Sequence, residues 1–447
     1  MISSIGTVPS ARSRGASKHL VCAVAACAAL LALSAAVRAD EPCQSPYMAK
    51  IVGQEDFVYV WTLGDPKLGV KSDSLVTVDV KPGSPTYGKV VSQVETGSID
   101  EAHHGGLTDD RARLWLGGLD GSKIHIFDIA TDPAKPRLVK TIDDTEKVTG
   151  GLVGPHSFIA LPGRMLIAFL SSSDGSGKTG LAEFTNDGRF IRTIRMPADA
   201  PYGYDARPSA KLNRLLTSSF TGKDVYMTEL AKVLATPELM KQFGDSMVLW
   251  NLHTMQPLQT FRVGGAPLEI RWASSPENNW AVTTTALDHK MILVERKDDG
   301  SFQARQVADV GEILPVDISL SADDQRLYVT GFMTGELKHY DMSDPGAPKL
   351  VETLKLGPQA NMVSQSWDGK RVYVTSSLLS QWDKPDAEWW LKKFDLRDGK
   401  LVEDEAFEVD FSKLGRPHQM NFGSRALADA PAGEKVASLG AKAAAAR

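Results

Sequence analysis

The sequence predicts an all-β protein, a seven-bladed β-propeller closed by pairing of its N-terminal and C-terminal strands. The first observation is a pattern that recurs along the chain: residues 113–118 lead to 124–129, 326–331 to 337–342, and 371–376 to 391–396. Self-similarity over tens of residues is typical of repeat architectures, and a period of about 40–60 residues fits one propeller blade. The second observation is that helical periodicity is confined to one insertion, residues 225–243.

One strand of each repeat is recognised directly as an apolar run that ends in a polar residue. The seven runs lie at residues 75–80, 124–129, 180–185, 247–252, 291–296, 337–342 and 391–396. Each is followed by a turn containing Asp, Pro, Gly or Asn and then by another short strand, which is the pattern of antiparallel sheet. The same spacing would also accommodate six or eight blades.

The segment before each repeat is predicted to line the central channel. Counting back ten residues from the second residue of a repeat (Leu114, Leu166, Leu215, Leu327 or Val372), or eleven from Trp280, gives His104, His156, Asp205, Asp317, Met362 and Glu269. The first repeat lacks such a segment, and the C-terminal residues 416–422, which include His418, are predicted to supply it. The channel mouth is therefore expected to carry three histidines with three carboxylates nearby.

Histidines that converge in this way predict a transition-metal centre, because imidazole suits copper, zinc, iron and nickel. Asp205, Glu269 and Asp317 are the candidate catalytic residues, which would orient the rings or move protons. The alternative is that these polar residues only solvate a wet channel. His103 precedes His104, and neighbouring side chains of a regular strand alternate in direction. Either one of the two is not a ligand, or the Gly105-Gly106 pair bends the strand.

The N-terminal residues have the order of a secretory signal peptide. Arg12, Arg14 and Lys18 precede the apolar run 20–37, and small residues lead to a cleavage position near Ala39. The expected organisation is a signal peptide at 1–39, the propeller at 40–425 and a mobile tail at 426–447. The protein is accordingly expected in the periplasm.

Charge and cysteine content exclude several classes of function. The 447-residue chain has a formal net charge of −5, and loss of the signal peptide makes it more acidic, so neither nucleic acid nor an anionic membrane is an expected partner. Of the 3 cysteines, only Cys43 follows the signal peptide, which excludes an internal disulfide and a cysteine-based metal cluster. The sequence permits a homo-oligomer.

Several motifs resemble those of the selenium-binding protein family, which includes bacterial methanethiol oxidases. They are Glu101-Ala102-His103-His104-Gly105-Gly106, Gly154-Pro155-His156-Ser157 and Gln381-Trp382-Asp383-Lys384. The likeness runs from about residue 56 to 422. It implies a seven-bladed propeller, copper as cofactor, and His103, His104, His156 and His418 as metal ligands. Thr62 stands where eukaryotic members carry the cysteine linked to selenium, which argues against selenium binding there.

The resemblance also implies a reaction. It is the oxidation of methanethiol with O2 and water to formaldehyde, hydrogen sulfide and hydrogen peroxide, so the expected partners are a small volatile thiol and O2. A narrow pocket for this substrate is expected, with Met362 in its wall. Trp382 is expected to pack with Trp389 and Trp390 at a blade edge, and the alternative is that the three form a binding platform or a cross-linked cofactor. The alternative function is a non-catalytic periplasmic propeller that binds metal or another protein. A hydrolase with a hard metal ion would favour a channel rich in carboxylates over one with three histidines.

Overall fold

The computed structural model describes residues 45–48, 54–384, 387–407 and 409–425. The predicted signal peptide and C-terminal tail therefore lie outside the described residues. Within the described part of the chain, 29 strands form seven antiparallel sheets, and each sheet is one blade. The predicted seven-bladed propeller is confirmed.

The first four blades each contain four strands, which follow one another from the channel outward. Blade 1 contains β29 (Arg416–Gly423), β1 (Phe57–Leu63), β2 (Ser74–Asp79) and β3 (Lys89–Glu95). Blade 2 contains β4 (Ala102–Leu107), β5 (Arg113–Gly118), β6 (Ile124–Asp128) and β7 (Arg137–Ile142). Blade 3 contains β8 (Leu152–Leu161), β9 (Arg164–Ser172), β10 (Gly180–Thr185) and β11 (Phe190–Arg195). Blade 4 contains β12 (Ala206–Ser209), β13 (Arg214–Thr217), β14 (Ser246–Asn251) and β15 (Gln256–Arg262).

The last three blades follow the same order. Blade 5 contains β16 (Pro267–Trp272), β17 (Trp280–Thr285), β18 (Lys290–Arg296) and β19 (Phe302–Asp309). Blade 6 contains β20 (Pro315–Leu320), β21 (Arg326–Gly331), β22 (Glu336–Asp341) and β23 (Lys349–Lys355). Blade 7 contains β24 (Ala360–Gln365), β25 (Arg371–Ser376), β26 (Trp390–Arg397) and β27 (Lys400–Glu403), and β28 (Val409–Asp410) also pairs with β26.

Helical structure in the described residues is short. It consists of a 3-10 turn (Pro66–Leu68) and the helices α1 (Thr145–Thr149), α2 (Lys223–Tyr226), α3 (Leu230–Ala235) and α4 (Pro237–Met240). The last three helices form the predicted insertion, which lies between the second and third strands of blade 4. No helix in the described residues has both the length and the apolar character that crossing a membrane requires.

Blade 1 closes the ring by joining the two ends of the propeller. Strand β29 pairs antiparallel with β1, with Val58 opposite Phe422 and Val60 opposite Met420. These side chains are fully buried in one apolar cluster. The predicted closure by N-terminal and C-terminal strands is confirmed: β29 supplies the inner strand of blade 1, and the inner edge of each blade is short and faces the central channel.

The core lies between neighbouring blades, because each sheet buries both faces. Between blades 5 and 6, for example, Val282 and Leu293 pack in one cluster with Ile318 and Val329. The outermost strands are more exposed, as in β3, where most residues are partly or fully exposed. The innermost strands are therefore held on rigid neighbours, which suits the positioning of a site.

Several innermost strands are entered through a residue in the left-handed backbone region. Glu101, Ala266, Leu314 and Gln359 have φ values of 62°, 54°, 51° and 66°, and Gly415 has 109°. Each lies directly before β4, β16, β20, β24 or β29. Non-glycine residues rarely adopt this conformation, and such strain is concentrated near functional sites.

Candidate metal centre and its two flanks

Four histidines from three inner strands meet in the central channel. His103 and His104 lie in β4, His156 in β8 and His418 in β29, and each is 2% exposed or less. The ring centroids are 3.9 Å apart for His103 and His418 and also for His104 and His156, and 4.6 Å apart for His103 and His104. The structure thus brings together all four histidines named as candidate ligands.

A change of register in β4 allows two consecutive histidines to enter the same cluster. Ala102 pairs with Gly118 and Gly105 with Leu116, so β4 has one residue more than β5 across this interval. A bulge of this kind re-aims side chains and is common beside active sites. Of the two alternatives left open by the sequence, the irregular strand is the one found.

The glycines that follow the two histidines permit the close approach of neighbouring strands. A Cβ atom on Gly105 would lie 2.4 Å from the backbone oxygen of Trp115, and one on Gly106 would lie 2.2 Å from that of Phe158. The Gly105 N–H donates to Oε1 of Gln419, at 2.7 Å. Strand β4 is therefore fixed against β5, β8 and β29 at the position of the cluster.

Hydrogen bonds to backbone carbonyls orient two of the rings. Nδ1 of His156 lies 3.1 Å from the Tyr204 carbonyl oxygen, and Nδ1 of His418 lies 2.9 Å from that of Ser377. A carbonyl oxygen only accepts, so each bond places the hydrogen on Nδ1 and the lone pair on Nε2. This arrangement is the one in which metal-binding histidines are held. The Asn361 amide nitrogen, 3.0 Å from Nδ1 of His418, donates to the same Ser377 carbonyl oxygen.

Each of the four rings retains a buried nitrogen atom that has no hydrogen-bond partner among the described residues. These atoms are Nδ1 of His103 and His104 and Nε2 of His156 and His418. The candidate ligand atoms of His103, His104 and His418 lie within 4.8 Å of one another, and so do those of His104, His156 and Glu269. Buried polar atoms are rarely left unpaired, so the donor set fits a metal ion such as copper.

Burial keeps the four imidazoles neutral. Burial lowers the pKa of His103 and His104 well below 6.5, with a further contribution from the neighbouring rings. Burial also lowers the pKa of His156 and of His418 to about 3. A neutral ring has the free lone pair that coordination requires.

A buried ionic network borders the cluster on the side of blades 4, 5 and 6. We name it the ionic flank, and it consists of Asp205, Arg207, Glu269, Arg271 and Asp317. Nε of Arg207 donates to Asp205 at 2.7 Å and its Nη2 to Glu269 at 2.9 Å. Arg271 donates to Glu269 at 3.0 Å and to Asp317 at 3.2 Å. The three predicted carboxylates are therefore brought together by two arginines.

Two of these carboxylates also join successive blades. Oδ2 of Asp205 accepts from the Ile270 N–H at 2.9 Å, and Oδ2 of Asp317 accepts from the Val363 N–H at 2.8 Å. Burial raises the pKa of Asp205 and Asp317, although Arg207 and Arg271 respectively oppose this. Both side chains are thus committed to holding the inner strands and the arginines in place.

Glu269 is the carboxylate that faces the histidines. Burial would raise its pKa, but Arg271 and Arg207 outweigh that effect and hold the pKa below its usual value. Its Oε1 atom accepts no hydrogen bond from the part of the chain that the structure describes, and it lies 3.7 Å from Nδ1 of His104. Glu269 is therefore an ionised carboxylate with one oxygen available to the cluster.

Arg207, Arg271 and Asn361 are site residues that the sequence analysis missed. Arg207 and Arg271 each follow an inner-strand carboxylate by two residues, so the period of two places both on one face of the strand. That spacing is the signal that would have found them. Asn361 stands one position before Met362, and a register shift between Ala360 and Val363 accounts for the error.

An apolar pocket also borders the cluster, and we name it the apolar flank. Among the candidate ligands, only His103 lines it. Its lining is His103, Leu119, Leu170, Tyr204, Phe220, Phe243, Leu268, Ala286, Leu287, Leu314, Val316, Leu378, Leu379 and Trp382. The lining contains no charged side chain.

Two expectations about this pocket were wrong. Met362 is absent from the lining and packs between blades 7 and 1, with Val58 and Phe422 among its cluster. Trp382 does not pack with Trp389 or Trp390: the three belong to different apolar clusters, and Trp382 lines the pocket. The register shift in β24 removed Met362 from the channel, and the connection between β25 and β26 carries Trp382 inward.

Comparison with known proteins identifies the family. The model of the 56kDa selenium binding protein family matches residues 37–429. The chain belongs to this family. A methanethiol oxidase of Ruegeria pomeroyi is 48% identical, with 91% of this chain and 98% of the relative covered. A methanethiol oxidase of a Hyphomicrobium species is also 48% identical, with 91% and 96% covered.

A solved structure agrees with the family and the fold. The hypothetical selenium-binding protein of Sulfolobus tokodaii is 26% identical and superimposes with a TM-score of 0.77, over 86% of this chain and 96% of that chain. The family resemblance predicted from the histidine and tryptophan motifs is confirmed.

Proposed function

We propose that this chain is a periplasmic, copper-dependent methanethiol oxidase. One methanethiol, one O2 and one water would give formaldehyde, hydrogen sulfide and hydrogen peroxide, so that carbon is oxidised by two electrons and O2 is reduced to peroxide. The names of the bacterial relatives at 48% identity support the substrate. The observation that carries the proposal is the convergence of four buried imidazoles, each with an unpartnered nitrogen.

His103, His104, His156 and His418 would hold the copper. When bound, copper would supply a site for the substrate sulfur as thiolate, since soft thiolates suit copper and a bound metal lowers the pKa of a thiol. The carbonyls of Tyr204 and Ser377 keep the lone pairs of two rings directed toward that site. The chain's contribution is therefore a set of neutral, pre-oriented donors.

Glu269 would accept the proton that the thiol releases. It is ionised, buried and close to His104, and its Oε1 atom is free of other hydrogen bonds. Arg207 and Arg271 hold it in position, while Asp205 and Asp317 anchor the two arginines. In this assignment Glu269 acts on the proton, and the other two predicted carboxylates act as positioning residues.

The periplasmic location rests on the N-terminal sequence. The basic residues, the apolar run 20–37 and the small residues before Asp40 support export and cleavage near Ala39. N-terminal sequencing of the protein recovered from the periplasmic fraction tests this. A mature chain that begins near residue 40 is expected, and recovery of the intact N-terminus from the cytoplasm would reject it.

The function is tested by measuring metal content and peroxide release on the same purified protein. We expect copper near one equivalent per protein chain, and hydrogen peroxide formed from methanethiol and O2. Both should be lost in the double variant His156→Ala/His418→Ala. The matched control is His125→Ala/His339→Ala, which removes two equally buried histidines from the outer strands β6 and β22 and should retain both.

The outcomes separate the proposed enzyme from its alternative. Copper binding without turnover would replace the oxidase by a copper-binding or carrier protein. Folded protein that has neither copper nor activity after reconstitution with copper would reject the proposal. Equal losses in the two double variants would also count against it, since the cluster would then have no special role.

A further inference from the structure

We propose that the apolar flank binds the alkyl group of the thiol and restricts the substrate to short, uncharged thiols. This inference rests on the proposed function and assigns that function a substrate class. It also names Phe220 and Ala286 as the residues that limit the length of the alkyl chain.

The walls of the pocket are fixed and apolar. Leu268 and Val316 lie in the inner strands β16 and β20, and both are buried. A charged or zwitterionic thiol would lose its hydration in this pocket without gaining an ion-pair partner, which is strongly unfavourable. For a methyl or ethyl group, the same transfer from water into the pocket is favourable.

Aromatic side chains form one side of the pocket. The ring centroid of Phe220 lies 5.3 Å from that of Tyr204, 5.3 Å from that of Phe243 and 5.9 Å from that of Trp382. Because three rings surround it, Phe220 has little room to move aside for a longer chain.

Hydrogen bonds between two blades hold this aromatic side together. Nε1 of Trp382 donates to the Thr228 carbonyl oxygen at 3.2 Å, and the Leu230 N–H donates to the Gln381 carbonyl oxygen at 3.3 Å. The insertion of blade 4 and the connection between β25 and β26 in blade 7 thus meet beside the pocket. The pocket is therefore a structured site and not a gap between loops.

His103 gives the pocket a polar end. Its Nδ1 atom is buried and unpartnered, and the ring belongs to the histidine cluster. A thiol with its sulfur at this end would place its alkyl group among Leu268, Phe220 and Ala286. The pocket thus accounts for both ends of a small thiol.

The test is anaerobic binding of volatile thiols, followed by the fall of free thiol in the headspace above the protein. Wild-type protein should bind methanethiol more tightly than 1-butanethiol, and cysteine added as a competitor should not displace methanethiol. Phe220→Leu should raise the affinity for 1-butanethiol relative to methanethiol about tenfold, since one methylene in an apolar pocket is worth at least that factor. Ala286→Leu should weaken binding of both thiols.

Phe261→Leu is the matched control. Phe261 and Phe220 belong to the same blade and are both 6% exposed, but Phe261 packs between blades 4 and 5 and does not line the pocket. The ratio of affinities should stay within about twofold of wild type in this control, because the pocket is unchanged.

Each result decides the proposal. The proposal is overturned if the Phe220 and Phe261 variants have the same ratio of affinities for 1-butanethiol and methanethiol. It is also overturned if cysteine displaces methanethiol, or if neither thiol binds. Because O2 is absent, the outcome does not depend on turnover. Selective binding without peroxide release in air would reject the oxidase and leave the pocket standing. Oxidation of methanethiol with an unchanged ratio would reject the pocket alone.

Discussion

Two different environments border the histidine cluster: the apolar flank is a pocket lined by apolar side chains, and the ionic flank holds two arginines and three carboxylates. His103 faces the apolar flank, whereas His104 lies 3.7 Å from Glu269 in the ionic flank. These two residues are neighbours in sequence, so a single bulged strand gives the site its two environments. The apolar flank suits the alkyl part of a thiol, and the ionic flank suits the proton that leaves its sulfur.

The two flanks are also stabilised differently. Burial of apolar surface stabilises the apolar flank, and such packing tolerates changes in side-chain shape at a modest cost in stability. The ionic flank depends on complete pairing, because an uncompensated buried charge is far more costly. Substitutions in the ionic flank should therefore affect chemistry and stability, and those in the apolar flank should affect selectivity.

The largest expected effect is on catalysis by the ionic flank. Glu269→Gln keeps the size of the side chain but removes the proton acceptor, and kcat for methanethiol should fall about 10²–10⁴-fold. Copper content should be unchanged. Glu352→Gln is the matched control, since Glu352 lies 3.1 Å from His339 in the outer part of blade 6, and its kcat should be close to wild type. Equal kcat values in the two variants would show that Glu269 does not take part in the reaction.

The next effect is on stability. Arg271→Met leaves Glu269 and Asp317 without a shared cation, and the free energy of unfolding should fall by about 3–5 kcal/mol. Arg262→Met is the control, because the Arg262–Asp245 pair is 54% exposed on both sides and should change stability by about 0–1 kcal/mol. Urea unfolding measures both. Similar losses would show that the ionic flank is no more sensitive than the surface.

The histidines between the flanks should make stability depend on pH. Burial lowers the pKa of His156 and His418 to about 3, below the value of about 6.5 expected in the unfolded chain. The unfolded chain therefore binds protons first as the pH falls below about 6.5, and stability present above that pH is lost toward pH 3. At about pH 5 each of these two histidines should lower the free energy of unfolding by about 2 kcal/mol.

Urea midpoints of metal-free protein at about pH 7.5 and about pH 5 measure this loss. Between these two pH values the midpoint should fall less in His156→Gln/His418→Gln than in wild type. In His253→Gln, which removes an exposed histidine at a turn, it should fall by as much as in wild type. An equal decrease in all three proteins would mean that the cluster is not the source of the pH dependence.

The smallest expected effect concerns the support of one ring. Asn361→Ala removes the amide that donates to the Ser377 carbonyl oxygen, which is the acceptor for Nδ1 of His418, and copper affinity should fall about 10–100-fold. Asn186→Ala removes an amide that bonds Asp109 at the surface and should leave copper affinity unchanged. Competition with a copper chelator measures both. An unchanged affinity in Asn361→Ala would show that the Ser377 carbonyl alone orients the ring.

Much of the fold and the histidine site was predictable because propeller blades repeat. The recurrent strands fixed the period, and a fixed count back from the start of a repeat located His104 and His156, while the missing inner strand of blade 1 indicated the C-terminal segment that carries His418. Closure by β29 followed from the missing inner strand of blade 1. These inferences require only that the period be kept.

What the period alone could not predict lies where the inner strands depart from it. The bulge in β4 brings His103 into the cluster, and the register shift in β24 exchanges Asn361 for Met362. A constant offset cannot detect an extra residue. The position of Trp382 depended on a connection between strands, whose path is set by contacts with the distant insertion of blade 4.

The central claim is that the four histidines form a copper site, and anomalous diffraction at the copper absorption edge tests it most directly. Crystals of the copper-loaded protein should show one strong anomalous peak among the ring nitrogens of His103, His104, His156 and His418. Protein that binds copper near one equivalent but shows its anomalous peak elsewhere, with none at the cluster, would contradict the claim.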